Sequence, residues 1–441
     1  MSEKKQMPIS LVLKDLGIVE TIIINGKTYF AIYKDGEIEI KSDLDINGEK
    51  ISPLSSESGI IKNSLLGLPP EPIKYSSEQE LYQEIVQLIK KYFYCREDFI
   101  KISALYIMMS WLYDSFNEIP YLRVLGGFST GKSRFLDVVG GCCYKRLNFN
   151  GSSSISSIFR ALDQFKGTLT FDEGDFKNSD FASEATKIFN LGYSKNMSVT
   201  RSGERGGANK YFELESYSVF GPKIISSRQS YDDLALESRC ITQELQVIKR
   251  QSHIPIQLPP EFDKEIKRIK GKLLMFRFLN LKNLNIEELN IKGISSMRIL
   301  QVMTPIWVIA KLLSSTEEEL VIKFAISMSK EISRAQLITD EASVLVAIIR
   351  LMERKQDKIY MKDISRELGH VSEIIEDDEM DNNYNGSDFL SARKVGFLTE
   401  HRLHLKKDRD NKGLYLRVNS AFKNTISGLK SRFGITDELF S

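Results

Sequence analysis

Residues 126–133 read Gly-Gly-Phe-Ser-Thr-Gly-Lys-Ser, which matches the phosphate-binding loop pattern G-x-x-x-x-G-K-S/T at every fixed position. An apolar run, residues 121–125, precedes this stretch, and a segment of helical character, residues 134–139, follows it. A glycine-rich loop between a strand and a helix turns its backbone N–H groups towards the phosphates of a nucleotide. The stretch therefore predicts a nucleotide site within an α/β domain.

Four positions of this loop have predicted roles in binding ATP and Mg²⁺. Gly126 and Gly131 leave the backbone free to curl around the phosphates. Lys132 is expected to neutralise the β- and γ-phosphate oxygens, and Ser133 is expected to bind the magnesium ion.

Residues 167–173, Gly-Thr-Leu-Thr-Phe-Asp-Glu, predict an apolar strand that ends in two carboxylates. Asp172 at the strand end is expected to hold Mg²⁺, and Glu173 is expected to polarise the attacking water. This order of carboxylates is typical of ATP-hydrolysing motors and rare in small-molecule kinases, so it favours hydrolysis.

A third apolar strand is predicted within residues 218–229, and its polar end would reach the γ-phosphate. Ser227, Arg228 and Gln229 are the candidates for this sensing position. The pattern does not choose among them, because it departs from the Asn or Thr usual in such ATPases.

Arg239 stands just before a further apolar strand. An arginine so placed commonly stabilises the phosphoryl group in the site of a neighbouring subunit, which requires a closed assembly such as a ring. A local salt bridge with Glu237 or Asp233 is the alternative.

An insertion at residues 197–217 consists of two β-like runs around a glycine-rich tip. In ring motors a hairpin at this place grips a nucleic-acid backbone in the central channel, and Arg201, Arg205 and Lys210 would then be the contacts. The alternative is an exposed hairpin with solvated charges.

The last hundred residues follow a separate pattern of three helices and a hairpin, the layout of a winged helix. The predicted elements are residues 340–354, 361–369, 387–398, and a hairpin of 403–405 with 413–418. Residues 401–434 hold nine Lys or Arg against two Asp, a basic patch that the net charge of +2 for the whole chain conceals. The predicted DNA contacts are Arg393, Lys394, Lys406, Lys407, Arg409 and Lys412. Winged helices also bind proteins, which is the alternative.

The other segments place these motifs in a larger chain of 441 residues. Residues 1–60 predict β-hairpins at Asn25-Gly26 and Asp35-Gly36, and helical periodicity follows over residues 78–91, 99–116 and 260–335. The four cysteines form no C-x-x-C pair, which indicates inert thiols. The start of the chain lacks the apolar core of a signal peptide, so a cytoplasmic location without membrane contact is expected.

Several motifs occur together in an order that resembles a known group. The stretches that carry this resemblance are residues 120–133, 156–160, 169–175, 190–193, 199–201, 220–225 and 236–239. The chain resembles, over about residues 80–440, the AAA+ ATPase domain of phage, plasmid and genomic-island replication proteins, which are related to minichromosome-maintenance and superfamily 3 helicases. The resemblance implies ATP-site roles for Gly131, Lys132, Ser133, Asp172, Glu173 and Arg239. Most such proteins carry a primase or zinc region upstream, for which residues 1–60 are too short.

The predicted fold class is α/β, with an AAA+ P-loop ATPase core, a helical lid, a small β-rich N-terminal unit and a C-terminal winged helix. The predicted boundaries are 1–75 for the β-rich unit and linker, 76–250 for the core with its helical collar, 251–335 for the lid and 336–441 for the winged helix.

The predicted function is that of an ATP-dependent DNA helicase or translocase in the replication of a mobile genetic element. ATP and Mg²⁺ are its cofactors, and single-stranded DNA, duplex DNA, further copies in a hexameric ring and a separate primase or polymerase are its expected partners. The alternatives are a nucleotide-switched DNA-binding regulator and an initiator or loader that melts an origin without processive unwinding.

Overall fold

The computed structural model describes residues 10–13, 17–46, 48–172, 180–205, 211–231, 233–247, 251–292, 294, 296–337, 339–354, 356–375, 390–433 and 435. The chain forms two compact units, Met1–Ala325 and Ile326–Ser441. The first unit contains the phosphate-loop motif, and the second contains the basic C-terminal patch.

The first unit begins with antiparallel strands. They are β1 (Ser10–Leu13), β2 (Gly17–Ile24), β3 (Lys27–Lys34) and β4 (Glu37–Lys41), followed by the pair β5 (Leu44–Ile46) and β6 (Glu49–Ile51). Asn25 and Gly26 have φ values of 48° and 77°, and Asp35 and Gly36 have values of 51° and 87°. Positive φ at both residues is what a two-residue type I′ turn requires, so the predicted hairpins are confirmed.

Two short elements and two longer helices lie in the chain between these strands and the α/β core. They are α1 (Gly59–Lys62), β7 (Leu66–Gly67), α2 (Glu78–Tyr92) and α3 (Glu97–Ser110). The Ser77 side chain accepts a hydrogen bond from the Glu80 backbone N–H at 3.2 Å, which caps the start of α2.

The α/β core of the first unit alternates strands and helices, as predicted. Its elements are β8 (Tyr121–Leu125), α4 (Lys132–Phe135), β9 (Arg146–Asn150), α5 (Ile155–Phe165), β10 (Leu169–Asp172), α6 (Asp180–Leu191), β11 (Ser198–Arg205), β12 (Tyr211–Ser218), β13 (Lys223–Ser227), α7 (Leu234–Glu237) and β14 (Cys240–Glu244). A π-helical turn, Leu136–Gly140, continues α4. Strands β11 and β12 pair only with each other, as a long antiparallel hairpin.

The central sheet has the strand order β14-β8-β13-β10-β9-β7. The first five strands are parallel, and β7 is an antiparallel edge strand. Because parallel strands end at the same edge of a sheet, Leu125, Asp172 and Ser227 lie along one edge, with β13 between the loop strand β8 and the acidic strand β10. The predicted α/β fold with a parallel sheet is therefore confirmed.

Three long helices complete the helical part of the chain before residue 338. They are α8 (Pro260–Asn280), α9 (Met297–Leu313) and α10 (Ser315–Leu337). This agrees with the helical prediction for residues 260–335, except that residues 281–296 form no helix where the structure describes them. None of the described helices is both long and apolar enough to cross a membrane.

A buried group of charges joins the N-terminal sheet to the rest of the first unit. The Glu20 carboxylate on β2 lies 2.7 Å from Lys145 Nζ and 2.7 Å from Arg277 Nε of α8, and all three side chains are at most 1% exposed. Burial alone would raise the pKa of Glu20, but the two cations hold it below its usual value. Arg277 also pairs with Asp114 at 2.7 Å, so this network fixes the N-terminal strands against the core and α8.

The second unit has the order helix, strand, helix, helix, hairpin and helix. Its elements are α11 (Asp340–Glu353), β15 (Lys358–Tyr360), α12 (Met361–Ile375), α13 (Ala392–His401), β16 (Asp408–Asp410), β17 (Gly413–Arg417) and α14 (Ser420–Phe433). The three strands form one antiparallel sheet in the order β15-β17-β16.

Helix α13 begins at Ala392 rather than at residue 387, and helix α14 was not predicted. Two further details of this unit also differ from the sequence prediction. Helix α12 does not end at Gly369 but continues to Ile375, because apolar residues recur with helical period beyond the glycine. The hairpin partner of β17 is Asp408–Asp410 rather than residues 403–405. Leu403 and Leu405 are buried on either side of His404, whose φ of 55° is left-handed and interrupts an extended strand.

Candidate nucleotide site

The loop between β8 and α4 has the tight backbone that the glycine pattern predicts. A Cβ atom on Gly126 would lie 2.6 Å from Thr130 Oγ1 and 2.7 Å from the Leu245 carbonyl oxygen, so no side chain fits there. Gly131 has a φ of 93°, in the left-handed region that favours glycine. Both glycines are therefore required by the shape of the loop.

Lys132 begins α4 and turns back over the loop. Its Nζ donates to the carbonyl oxygens of Gly126 at 2.6 Å and Gly127 at 2.5 Å. These two bonds hold the ammonium group beside the loop backbone, where the phosphates of a nucleotide are expected to bind.

Asp172 at the end of β10 lies next to the loop. Its Oδ2 accepts a hydrogen bond from Ser133 Oγ at 3.0 Å, and its Oδ1 accepts one from Ser226 Oγ on β13. A carboxylate and a hydroxyl at this distance provide oxygen donors that suit Mg²⁺. The structure thus brings together Ser133 and Asp172, the two residues predicted to bind the metal, and both fit that ion.

A cleft of about 400 Å³ opens over the loop. Its lining residues are Phe128, Ser129, Thr130, Gly131, Lys132, Ser133, Arg134, Asp172, Ser227 and Arg228. Two of the three sensor candidates, Ser227 and Arg228, belong to this lining, and Gln229 does not. The Ser227 hydroxyl is buried without a hydrogen-bond partner among the described residues, whereas Arg228 stacks 4.4 Å from the Phe128 ring centroid. Glu173, the predicted water-polarising residue, lies outside the described residues.

Arg134 connects the loop helix to two segments beside the cleft. Its guanidinium donates to the backbone oxygens of Tyr92 at 3.3 Å, Pro255 at 3.1 Å and Ile256 at 2.7 Å. Tyr92 is the last residue of α2, and Pro255 and Ile256 lie in the strap, which we define as residues 251–259 before α8. This bridge was not predicted, because position 134 lies outside the fixed positions of the loop pattern.

Arg239 lies at the end of the parallel strands that is opposite the phosphate-binding loop. It precedes β14, whose first residue Cys240 pairs with Tyr121 at the start of β8, so about 16 Å of strand separates it from the loop. Its Nη1 donates to Asn190 Oδ1 at 2.7 Å and to the Ala235 carbonyl oxygen. Its guanidinium carbon lies 4.3 Å from the Tyr193 ring centroid, and the residue is 9% exposed.

The carboxylates proposed as local partners of Arg239 bind other groups. Glu237 pairs with Arg123, while Asp233 accepts from Asn190 Nδ2 at 2.6 Å and from the backbone N–H groups that begin α7. Within the described part of the chain Arg239 forms no salt bridge with either of them. Arg239 also cannot reach the nucleotide site of its own chain.

The predicted nucleic-acid contacts on the hairpin β11–β12 are described in part. The Arg201 guanidinium carbon stacks 5.2 Å from the Phe159 ring centroid, and its Nη2 lies 3.6 Å from Glu184 Oε2. Arg205 ends β11 opposite Tyr211, and Lys210 lies outside the described residues.

The predicted contacts of the second unit divide into two groups. Lys394 Nζ lies 2.8 Å from Asp340, and Lys407 Nζ lies 2.8 Å from Glu400 and 2.9 Å from the Gly396 carbonyl oxygen. These ion pairs engage both amines. The four remaining candidates are exposed: Arg393, Lys406, Arg409 and Lys412.

Three comparisons with known proteins were made. No protein-family model matches the chain, and no curated protein matches it. Similar solved structures include the apo A form of the NrS-1 C-terminal region, with 12% identity, 91% of this chain and 96% of that chain covered, and a TM-score of 0.35. The JCV helicase has 14% identity, 60% and 63% coverage and a TM-score of 0.22, and Cdc6p from Pyrobaculum aerophilum has 11% identity, 83% and 96% coverage and a TM-score of 0.20. At these values the interpretation of the site rests on its own geometry.

Proposed function

We propose that this chain is an ATPase of the AAA+ type that uses ATP hydrolysis to drive a DNA helicase in the replication of a mobile genetic element. The observation that carries the proposal is the hydrogen bond of 3.0 Å between Ser133 on the loop helix and Asp172 at the end of β10. It joins the two motifs predicted to hold Mg²⁺, beside a lysine held over the loop.

Each residue of the cleft has a role in this reaction. Bound Mg²⁺ supplies positive charge that stabilises the transferring phosphoryl group. Ser133 and Asp172 would bind the ion, and Lys132 would neutralise the phosphate oxygens nearest the loop. Ser227, whose buried hydroxyl has no hydrogen-bond partner among the described residues, is the best placed sensor of the γ-phosphate. Glu173 would polarise the attacking water.

The position of Arg239 in the sheet supports an enzyme that is active as an oligomer. Because Arg239 lies at the sheet edge opposite the loop of its own chain, a catalytic role requires the site of a neighbouring subunit. Its side chain would then leave Asn190 and Tyr193 when the neighbour binds. A head-to-tail interface of this kind closes into a ring, for which we propose a hexamer.

Nucleic acid would bind at two surfaces, one in each unit. Arg201 and Arg205 belong to strand β11 of the hairpin, and Lys210 follows them in the chain. The second unit has the element order of a winged helix, and its exposed cations Arg393, Lys406, Arg409 and Lys412 would contact phosphates. A primase or polymerase would be a separate protein.

The test is ATP turnover by purified wild-type protein, Lys132→Ala and Asp172→Asn, with Arg268→Ala as a control far from the loop pattern. We expect each site variant to lose at least about 100-fold in kcat, since charge stabilisation at the phosphates dominates catalysis, and the control to match wild type. Turnover that persists in Lys132→Ala would overturn the proposed ATPase. Strand separation on a forked duplex then distinguishes a helicase from an initiator, which would hydrolyse ATP without separating the strands.

A further inference from the structure

An aromatic and basic cluster lies where α5 meets the base of the hairpin β11–β12. The rings of Phe159 and Tyr217 lie 4.8 Å apart, centroid to centroid. The guanidinium carbon of Arg160 lies 5.2 Å from the Tyr217 centroid, and that of Arg201 lies 5.2 Å from the Phe159 centroid. These four residues are called the Arg160 cluster below.

Two positive charges thus share one pair of aromatic rings. Both guanidinium carbons lie within 6.0 Å of the Phe159 ring centroid. Stacking on a ring holds a guanidinium plane in place and leaves its N–H edges to bind oxygen atoms outside the cluster. The like charges repel each other, so an anion placed between them would be stabilised.

The nearby carboxylates offset part of this charge, since Glu184 and the cross-strand neighbour Glu215 both lie close to Arg201. Arg201 has Glu184 at 3.6 Å, but Arg160 forms no ion pair with any residue that the structure describes. Asp163 on the same helix is held by Lys166 at 2.8 Å and by the Ser218 backbone N–H at 3.0 Å. Glu215 accepts the hydrogen bond of the Tyr217 hydroxyl. Arg160 is therefore an exposed cation whose orientation is fixed by stacking.

Hydroxyl groups extend the same face of α5. Ser156 and Ser157 are exposed and precede Arg160 by four and three residues, so all three side chains lie on one side of the helix. Serine hydroxyls and arginines are common ligands of nucleic-acid phosphates, and an exposed row of them is suited to a backbone rather than to a base edge.

We propose that the Arg160 cluster binds the phosphate backbone of single-stranded DNA, with Arg160 as its main contact and Arg201 as the second. The proposal rests on the proposed function and adds a residue outside the hairpin to the expected DNA contacts. It also makes α5 a fixed platform beside the hairpin, so that the strand would run across both elements.

The test is the affinity of full-length protein for a fluorescent oligo-dT, measured by anisotropy over a series of salt concentrations. The variants are Arg160→Ala, Arg160→Lys and the control Arg268→Ala, which removes an exposed arginine of α8. We expect Arg160→Ala to weaken binding about tenfold at low salt, as loss of a charged hydrogen bond does. It should also reduce the slope of log affinity against log salt by about 0.7, the value for one single-strand phosphate contact. Arg160→Lys should keep the slope and lose less affinity.

The possible outcomes distinguish a failure of the DNA contact at the Arg160 cluster from a failure of the proposed helicase function. If wild type and Arg160→Ala bind with the same affinity and slope, the cluster is not a DNA contact, although the helicase proposal stands. A loss of affinity without a change of slope would assign Arg160 to a base and overturn the phosphate contact. If wild type fails to bind oligo-dT while it hydrolyses ATP, both the cluster and the helicase proposal are overturned.

Discussion

Asp172 joins three elements of the candidate site through one carboxylate. It ends β10, accepts from Ser133 at the start of α4 and accepts from Ser226 on β13. A carboxylate held from both sides has a fixed orientation, which a magnesium ligand requires. We therefore expect Ser226 to be a positioning residue for the proposed metal site.

Replacement of Ser226 with alanine should raise the Mg²⁺ concentration needed for half-maximal turnover by about tenfold, because a ligand loses its supporting hydrogen bond. Ser42→Ala is the control, since it removes an exposed serine hydroxyl outside the cleft lining. It should leave the Mg²⁺ dependence unchanged. Equal Mg²⁺ dependence of wild type and Ser226→Ala in steady-state assays would remove Ser226 from the metal site.

The burial of Lys270 on α8 can be tested through the pH dependence of the free energy of unfolding. Its Nζ donates to the backbone oxygens of Gly67 at 3.3 Å and Leu68 at 3.1 Å, and burial lowers the pKa of Lys270 to about 8. Between pH 8 and the ordinary lysine pKa, the unfolded chain binds the proton that the folded chain has lost, so stability rises with pH. The free energy of unfolding of wild type relative to Lys270→Met should increase by about 2 kcal/mol from pH 7.5 to 9.5. Guanidinium titrations at both pH values measure this difference, and a constant difference would contradict it.

The sequence motifs predicted some residues of the candidate site and missed others. Ser133 and Asp172 could be named because the chemistry of the loop and of the acidic strand requires them at fixed positions. Ser226 was missed because its place opposite Asp172 depends on the register of β10 against β13, which no local pattern encodes. The environment of Arg239 was missed for a similar reason, since Asn190 and Tyr193 come from a distant part of the chain.

At the scale of elements, the strand order indicates how a nucleotide would lie across the cleft. Strands β13 and β10, which carry the polar groups expected at the γ-phosphate, lie on one side of β8. Strand β14 lies on the other side, and Arg134 bridges the strap, which follows β14 in the chain, to the end of α2. The nucleoside end of ATP is therefore expected beside this bridge.

Arg134→Ala should raise the KM for ATP by about tenfold and leave kcat nearly unchanged, because it loosens the nucleoside side without touching the phosphate ligands. Inorganic tripolyphosphate, which has no nucleoside, should bind wild type and Arg134→Ala equally in competition assays. Arg134→Lys should recover part of the loss. An equal loss of affinity for ATP and for tripolyphosphate would contradict this role and assign Arg134 to the loop itself.

Elements with strong local signals could be predicted, and the others could not. The strand Tyr121–Leu125 and the two hairpin turns agree with their apolar runs and glycines. The second strand of the hairpin in the second unit agrees with β17, but the prediction for its first strand was wrong, because Leu403 and Leu405 have the alternation of a strand while their side chains fill the core. Burial by tertiary packing, rather than sheet pairing, explains that alternation.

At the scale of the whole molecule, the place of Arg239 predicts that catalysis needs two copies of the chain. Lys132→Ala and Arg239→Ala should each be nearly inactive alone. A mixture of the two should regain activity, because an intact loop from one variant meets an intact arginine from the other at roughly one quarter of the interfaces. ATPase assays of equimolar mixtures measure this recovery. A mixture as inactive as its components would contradict a role for Arg239 at the site of a neighbouring subunit.

The most direct test of the proposed function is ATP turnover with and without single-stranded DNA, at one protein concentration and in low salt. We expect oligo-dT to accelerate turnover several-fold in wild type, and Lys132→Ala to abolish both basal and stimulated turnover. Slow turnover that is indifferent to DNA would contradict the helicase and favour a nucleotide-switched regulator.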